Sequence, residues 1–207
     1  MPLQCSAFLT RHATLLTEAN SLKAEYLFQS DKYYDASYDS GDKSIQCGRK
    51  VDSLKLWLAL IARGEEQMER LVDNVFNMAD YVTSLIQSKP NFRLILPKYQ
   101  GNNVCFWYFP DSLKSELSNG MNGTDGQSGL NALRMSRADM EKLNKVCPLI
   151  KAEMMKESKI MVNYQPLSSK GLPNFFRLVL TCIPESTKED MDFFVEEIER
   201  LGSKINL

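Results

Sequence analysis

Two stripes of apolar residues on either side of Gly64 constrain this chain more than any other feature. Leu54, Trp57, Leu58 and Ile61 follow the i, i+3, i+4, i+7 spacing, and Leu71, Val75, Met78, Val82 and Leu85 repeat it between Glu65 and Gln87. Side chains at these spacings share one face of a helix, so each stripe calls for a covering layer and is expected to be core. Gly64 is expected to end or bend the first helix, and Pro90 to close the second.

The rest of the C-terminal region supplies such a layer. Phe92–Leu96 and Val104–Tyr108 read as short strands, joined by Pro97 and the turn-prone Gly101-Asn102-Asn103 into a hairpin. Ile160–Tyr164 and Phe175–Cys182 read as two more. A helix is expected from the cap Ser136 towards Glu157, kinked or restarted at Pro148, which has no N–H to give an interior turn. The last helix carries Met191, Phe194, Val195, Ile198 and Leu201 on one face, with Ser186 and Glu189 as a capping box and Gly202 at the C-terminal cap. Elements with one apolar face each need a second layer, which gives an α+β arrangement of antiparallel sheet and helices from about residue 53 onward.

Before that point the pattern is different. Leu3 to Leu9 resembles a strand belonging to a larger sheet, and Ala13 to Leu22 a short helix. Residues 23–45 show neither helical nor strand periodicity yet carry Tyr26, Phe28, Tyr33, Tyr34 and Tyr38. A loop of that length inside a compact domain is usually functional or disordered, and its aromatic content favours function. A second aperiodic stretch, 111–135, is rich in Ser, Asn and Gly and is expected to be a flexible excursion.

Charge and cysteines limit the partners. With 25 Lys and Arg against 26 Asp and Glu, the chain has no basic field to attract nucleic acid or an anionic membrane. No apolar run is long enough to span a bilayer, so neither a nucleic acid nor a membrane span is expected. The cysteines Cys5, Cys47, Cys105, Cys147 and Cys182 are odd in number and widely spaced, which fits reduced thiols and a cytoplasmic protein. His12 is the single histidine and has no ligand partner at metal-binding spacing, so no metal site is expected.

A series of segments runs through nearly the whole chain in one order: LQCSAFL, EYLFQSDKYYD, SYDSGDKSIQCGRKVD, NVCFWYFP, KVCPLIKAEMM, VNYQP, NFFR and FFVEEIERLG. Together they resemble the group II pyridoxal-phosphate-dependent decarboxylases, the glutamate, cysteine sulfinate and aspartate decarboxylase group. The resemblance implies the α/β fold of aspartate aminotransferase-like enzymes, with a large cofactor-binding domain followed by a small α+β domain. Residues 1–52 match the tail of the large domain, including a mobile catalytic loop at about 20–45, and 53–207 match the small domain. In the family, the cofactor-anchoring lysine precedes the segment matching Pro2-Leu3-Gln4-Cys5, so this chain alone is expected to be inactive.

What the resemblance implies for particular residues follows the matched segments. Tyr26 in EYLFQ matches the loop tyrosine that returns a proton to the substrate α-carbon, a role suited to a phenol that is neutral near pH 7. Arg177 in NFFR matches the arginine that binds a substrate carboxylate, and its place in an apolar strand suggests a buried guanidinium with a designated partner. Cys47 and Gly48 in QCGR match a turn that approaches the cofactor phosphate across a homodimer, glycine permitting close backbone approach. The implied function is decarboxylation of cysteine sulfinate, glutamate or aspartate with pyridoxal 5'-phosphate. The alternative is a non-catalytic dimerisation or regulatory fragment.

Overall fold

In the computed structural model, the residues described are 5, 7–22, 32–46, 48–49, 51–113 and 136–207. They separate into two compact units, Met1–Met68 and Glu69–Leu207. The division falls inside the long helical region, whereas the resemblance set it at 52/53.

In the first unit a short helix α1 occupies Leu15–Asn20, tied to the loop beyond it by Asn20 Nδ2, which donates to Lys43 O at 3.2 Å. A single 3-10 turn follows at Ala36–Tyr38, capped by Asp35, whose carboxylate accepts from the Ser37 amide. The expected opening strand is not formed by its described residues: 5 and 7–9 have no strand assignment, and Phe8 and Leu9 are 66% and 91% exposed. A strand needs a hydrogen-bonded neighbour, and these residues pair with none among those described.

Helix α2 spans Asp52–Ser88 and is broken at Gly64, whose φ of +72° and ψ of 171° lie in a region that essentially only glycine occupies. The first stripe departs from expectation: Leu54, Trp57, Leu58 and Ile61 are all at least half exposed. Their spacing correctly marks an apolar helix face. Periodicity says that such a face exists but not which chain segment covers it. The second stripe is core, with Leu71, Val75, Met78 and Val82 buried.

The second unit holds a four-stranded antiparallel sheet in the order β1-β2-β4-β3, formed by β1 (Phe92–Leu94), β2 (Asn103–Tyr108), β3 (Asn163–Leu167) and β4 (Leu172–Val179). The β1–β2 hairpin is as expected, with Gly101 at φ +60° in its connection. Both later strands are displaced from the apolar runs that suggested them. The left-handed Gly171, after a 3-10 turn at Ser168–Lys170, closes a tight β3–β4 connection and brings Leu167 opposite Leu172. Turn geometry therefore overrides local hydrophobicity in setting where the strands begin.

Helices α3 (Arg137–Glu157) and α4 (Lys188–Gly202) complete the layer. Phe106 of β2 meets Phe176 of β4 and Phe194 of α4, centroids 5.6 and 6.3 Å away, and all three lie in one continuous core. Ser136 caps α3 as expected, its hydroxyl accepting from the Asp139 amide at 3.1 Å. The helix runs through Pro148 as one element rather than restarting. At α4 the capping box is Thr187 with Asp190, one residue later than Ser186 with Glu189. The sequence offers both pairs, and the later one starts the helix at Lys188. Gly202 is the last helical residue, not a left-handed cap: a Cβ there would fall 2.1 Å from Tyr108 Cε1. Residues 111–113 of the expected excursion form a 3-10 turn with Leu113 buried, and 114–135 lie outside the described residues.

Candidate functional site

Tyr26 and Cys47 lie outside the described residues. Gly48 is in a turn of the first unit, where an added Cβ would meet nothing within 4 Å. Packing among the described residues does not demand glycine there. The neighbouring Arg49 is already engaged: it pairs with Asp52, and its Nη1 donates to Gln46 Oε1 at 2.8 Å.

Arg177 corrects the sequence expectation. It sits on β4 with apolar neighbours, but its own side chain is exposed. Alternation puts Arg177 on the face opposite Phe176; Phe175 shares that face and is buried against Trp107, so the exposure of Arg177 is local to its place on β4. Its hydrogen-bond partner among the described residues is neutral, Arg177 Nη1 donating to Gln165 Oε1 at 3.3 Å. The guanidinium lines a depression of ≈ 320 Å³ with Cys105, Asn103, Gln100 and Tyr99. Cys105 stands directly across from Arg177 in the β2–β4 register. Burial pushes the Cys105 thiol up, and the positive charge of Arg177 pulls it partly back.

Sequence reasoning missed Cys105 and Asn103 as neighbours of Arg177. The signal was available within β2, because period-2 alternation in NVCFWY puts Asn103, Cys105 and Trp107 on the face opposite Phe106. The pairing of β2 with β4 required the tertiary structure. A larger depression of ≈ 700 Å³ opens beside Met140, Pro166, Leu172 and Pro173. Its charges, Arg137 and Glu141, lie 3.4 Å apart and offset one another, whereas the smaller depression holds a guanidinium facing neutral groups. We therefore place the candidate site at Arg177.

No helix among the described residues is long and apolar enough to cross a membrane, and no cluster of His, Cys, Asp or Glu among them could hold a metal ion.

A small antiparallel sheet backed by helices is a fold that this chain shares with solved pyridoxal-phosphate-dependent decarboxylases. The model of the pyridoxal-dependent decarboxylase conserved domain matches residues 1–109. A crystal structure of mouse CSAD in its apo form is 34% identical, with a TM-score of 0.77 over 99% of this chain and 37% of that one. A second mouse CSAD structure gives 34% and 0.71, covering 92% of this chain and 35% of that chain. Oryza sativa TDC, solved with PLP and tryptamine, shares the fold at 15% identity and a TM-score of 0.57, over 79% of this chain and 29% of that one. This chain belongs to the pyridoxal-dependent decarboxylase family. It spans little more than a third of the length of the mouse CSAD chains.

Proposed function

We propose that this chain is the C-terminal part of a dimeric pyridoxal-phosphate-dependent carboxy-lyase that decarboxylates an acidic amino acid: cysteine sulfinate, glutamate or aspartate. The observation that carries this is the 34% identity to mouse CSAD across 99% of the chain, joined to the family match over residues 1–109. Pyridoxal phosphate, when bound, supplies the sink for the electron pair that departing CO2 leaves behind.

The chain's own residues then have separable tasks. Arg177 holds a substrate carboxylate, since its planar fork can give a carboxylate two parallel hydrogen bonds and its neighbours at the depression are neutral. Tyr26 delivers a proton to the substrate α-carbon after CO2 has left. The turn at Cys47 and Gly48 presents main-chain amides to the phosphate, across the dimer. A cytoplasmic location is supported by four unbridged thiols: Cys5, Cys105, Cys147 and Cys182.

The second reading is a non-catalytic dimerisation module. The exposed stripe of Leu54, Trp57, Leu58 and Ile61 favours it, because an apolar face of that size is covered in a working assembly.

The test joins this chain to the remainder of a CSAD-length enzyme and measures amine and CO2 from the three candidate substrates. Activity on at least one is expected, and none on any of them would leave the dimerisation reading. In Tyr26→Phe, CO2 release continues while amine formation falls by about 10²–10⁴-fold, the usual worth of a general acid. Amine made at the wild-type rate would reduce Tyr26 to a packing residue.

A further inference from the structure

Two guanidinium groups share one face of the sheet, and neither has a carboxylate partner among the described residues. Arg177 is opposite Cys105, and Arg93 on the edge strand β1 is opposite Trp107. Cys105 and Trp107 are two residues apart on β2 and so project from the same side, away from the face where Phe106 meets Phe194 of α4. Both arginines therefore rise from that side. Arg177 donates only to the neutral Gln165 amide oxygen. Arg93 is half-buried, and burial alone acts on its guanidinium, lowering its pKa with no acidic neighbour to offset the cost.

Their spacing is informative. Arg177 lies straight across from Cys105, and Arg93 is a diagonal neighbour of the same residue, a separation of about 7–8 Å that long side chains bridge. Two strand spacings and two residue rises put the arginine Cα atoms about 12 Å apart. Between them stands Cys105, a small side chain at the floor of the depression that Arg177 lines. Arg93 is not part of that lining; it stands across from Trp107, and Cys105 is its diagonal neighbour, within the reach of a long side chain. Two cations flanking a small residue match a short ligand with an acid group at each end.

We propose that Arg93 is a second acid-binding residue, which holds the distal acid group of the substrate while Arg177 holds the other, and so selects amino acids with acidic side chains. This rests on the proposed role of Arg177 as a carboxylate ligand. Arg93 adds the discrimination between acidic and neutral substrates, since a site built around an unpaired cation rejects a ligand that leaves it unpaired.

The experiment uses the full 207-residue chain and two simple probes, glutarate with two carboxylates and butyrate with one. Binding is followed by arginine side-chain NMR during titration, which needs neither cofactor nor turnover. Glutarate is expected to bind more tightly than butyrate. Arg93→Gln should weaken glutarate about 10-fold or more, the loss of one charge-assisted contact, and leave butyrate unchanged. Arg177→Gln should weaken both, and Arg93→Lys should keep part of the preference, which shows that a folded site is being read. The proposal is overturned if Arg93→Gln binds glutarate like the wild type, if it loses both probes equally, or if the wild-type chain does not prefer glutarate. Loss of both probes in Arg177→Gln with glutarate binding intact in Arg93→Gln would remove Arg93 while leaving the role of Arg177 standing.

Discussion

Asn174 completes helix α3 at the point where Pro148 cannot. Its Nδ2 donates to the Asn144 carbonyl at 2.8 Å, the group that residue 148 would bond if it carried an N–H, and its own amide donates to Asn144 Oδ1 at 2.9 Å. The side chain of a strand residue thus stands in for a missing helical donor. This is why α3 continues through a proline that would otherwise leave an orphan carbonyl. Asn174→Ala should cost about 1–2 kcal/mol in urea unfolding, the net worth of the lost hydrogen bonding. In a Pro148→Ala background the same substitution should cost less, because residue 148 then supplies the donor. An equal cost in both backgrounds would show that the two sites are uncoupled.

Gly202 is set by contact rather than by capping. An added Cβ would meet the Tyr108 ring at 2.1, 2.6 and 2.6 Å, and that ring is 1% exposed with no room to withdraw. Gly202→Ala should therefore destabilise the second unit by about 1–3 kcal/mol, despite alanine's better helix propensity. Trimming the ring with Tyr108→Leu should shrink the difference between glycine and alanine at this position. Calorimetric melting of the four variants measures it.

A salt-bridge network ties the C-terminal ends of α3 and α4. Arg200 pairs with Glu157 and donates to Glu197 through Nε at 2.8 Å and Nη2 at 2.7 Å. The Arg200 guanidinium, followed by Lys204, holds the Glu157 carboxyl down from its ordinary 4.5 to about 2. A carboxyl lowered by folding stabilises the native state above its unfolded pKa, and that contribution fades as pH falls through the folded one. Urea midpoints should therefore decline between pH 4.5 and about 2 more steeply in the wild type than in Glu157→Gln. Parallel profiles would mean that the network adds nothing to stability.

Cys147 and Cys105 should differ in reactivity. Cys147 is buried, its Sγ donates to Asn174 O at 3.4 Å, and burial pushes its thiol far up. Only the thiolate attacks an electrophile, so Cys147 should resist a disulfide reagent until urea unfolds the chain. Cys105 is only partly buried and faces Arg177, so it should react earlier. Mass spectrometry of the labelled peptides during partial modification gives the order.

The caps and turns of the fold were mostly legible in the sequence because they are local. Ser136 as a cap, Gly64 as a break, and the β1–β2 hairpin each follow from residues adjacent in the chain. The capping box at α4 shows the limit, since SxxE and TxxD overlap in one pentapeptide and only the formed helix distinguishes them. At the candidate site, the type and position of Arg177 were readable from NFFR, but its exposure was not. An arginine between apolar neighbours looks buried along the chain, and only the packed sheet shows that its face is covered at Phe175 and open at Arg177.

By itself, the sequence determined the helices and the β1–β2 hairpin, which helix faces are apolar, and to which family the chain is similar. Those properties depend on spacings within a few residues or on ordered matches along the chain. Only the tertiary structure decided the sheet order β1-β2-β4-β3, the placement of Cys105 opposite Arg177, the proline-bridging role of Asn174, and the demand for glycine at 202. Each is a contact between residues far apart in the chain, fixed by strand register and close packing. No local pattern encodes which distant partner will be there.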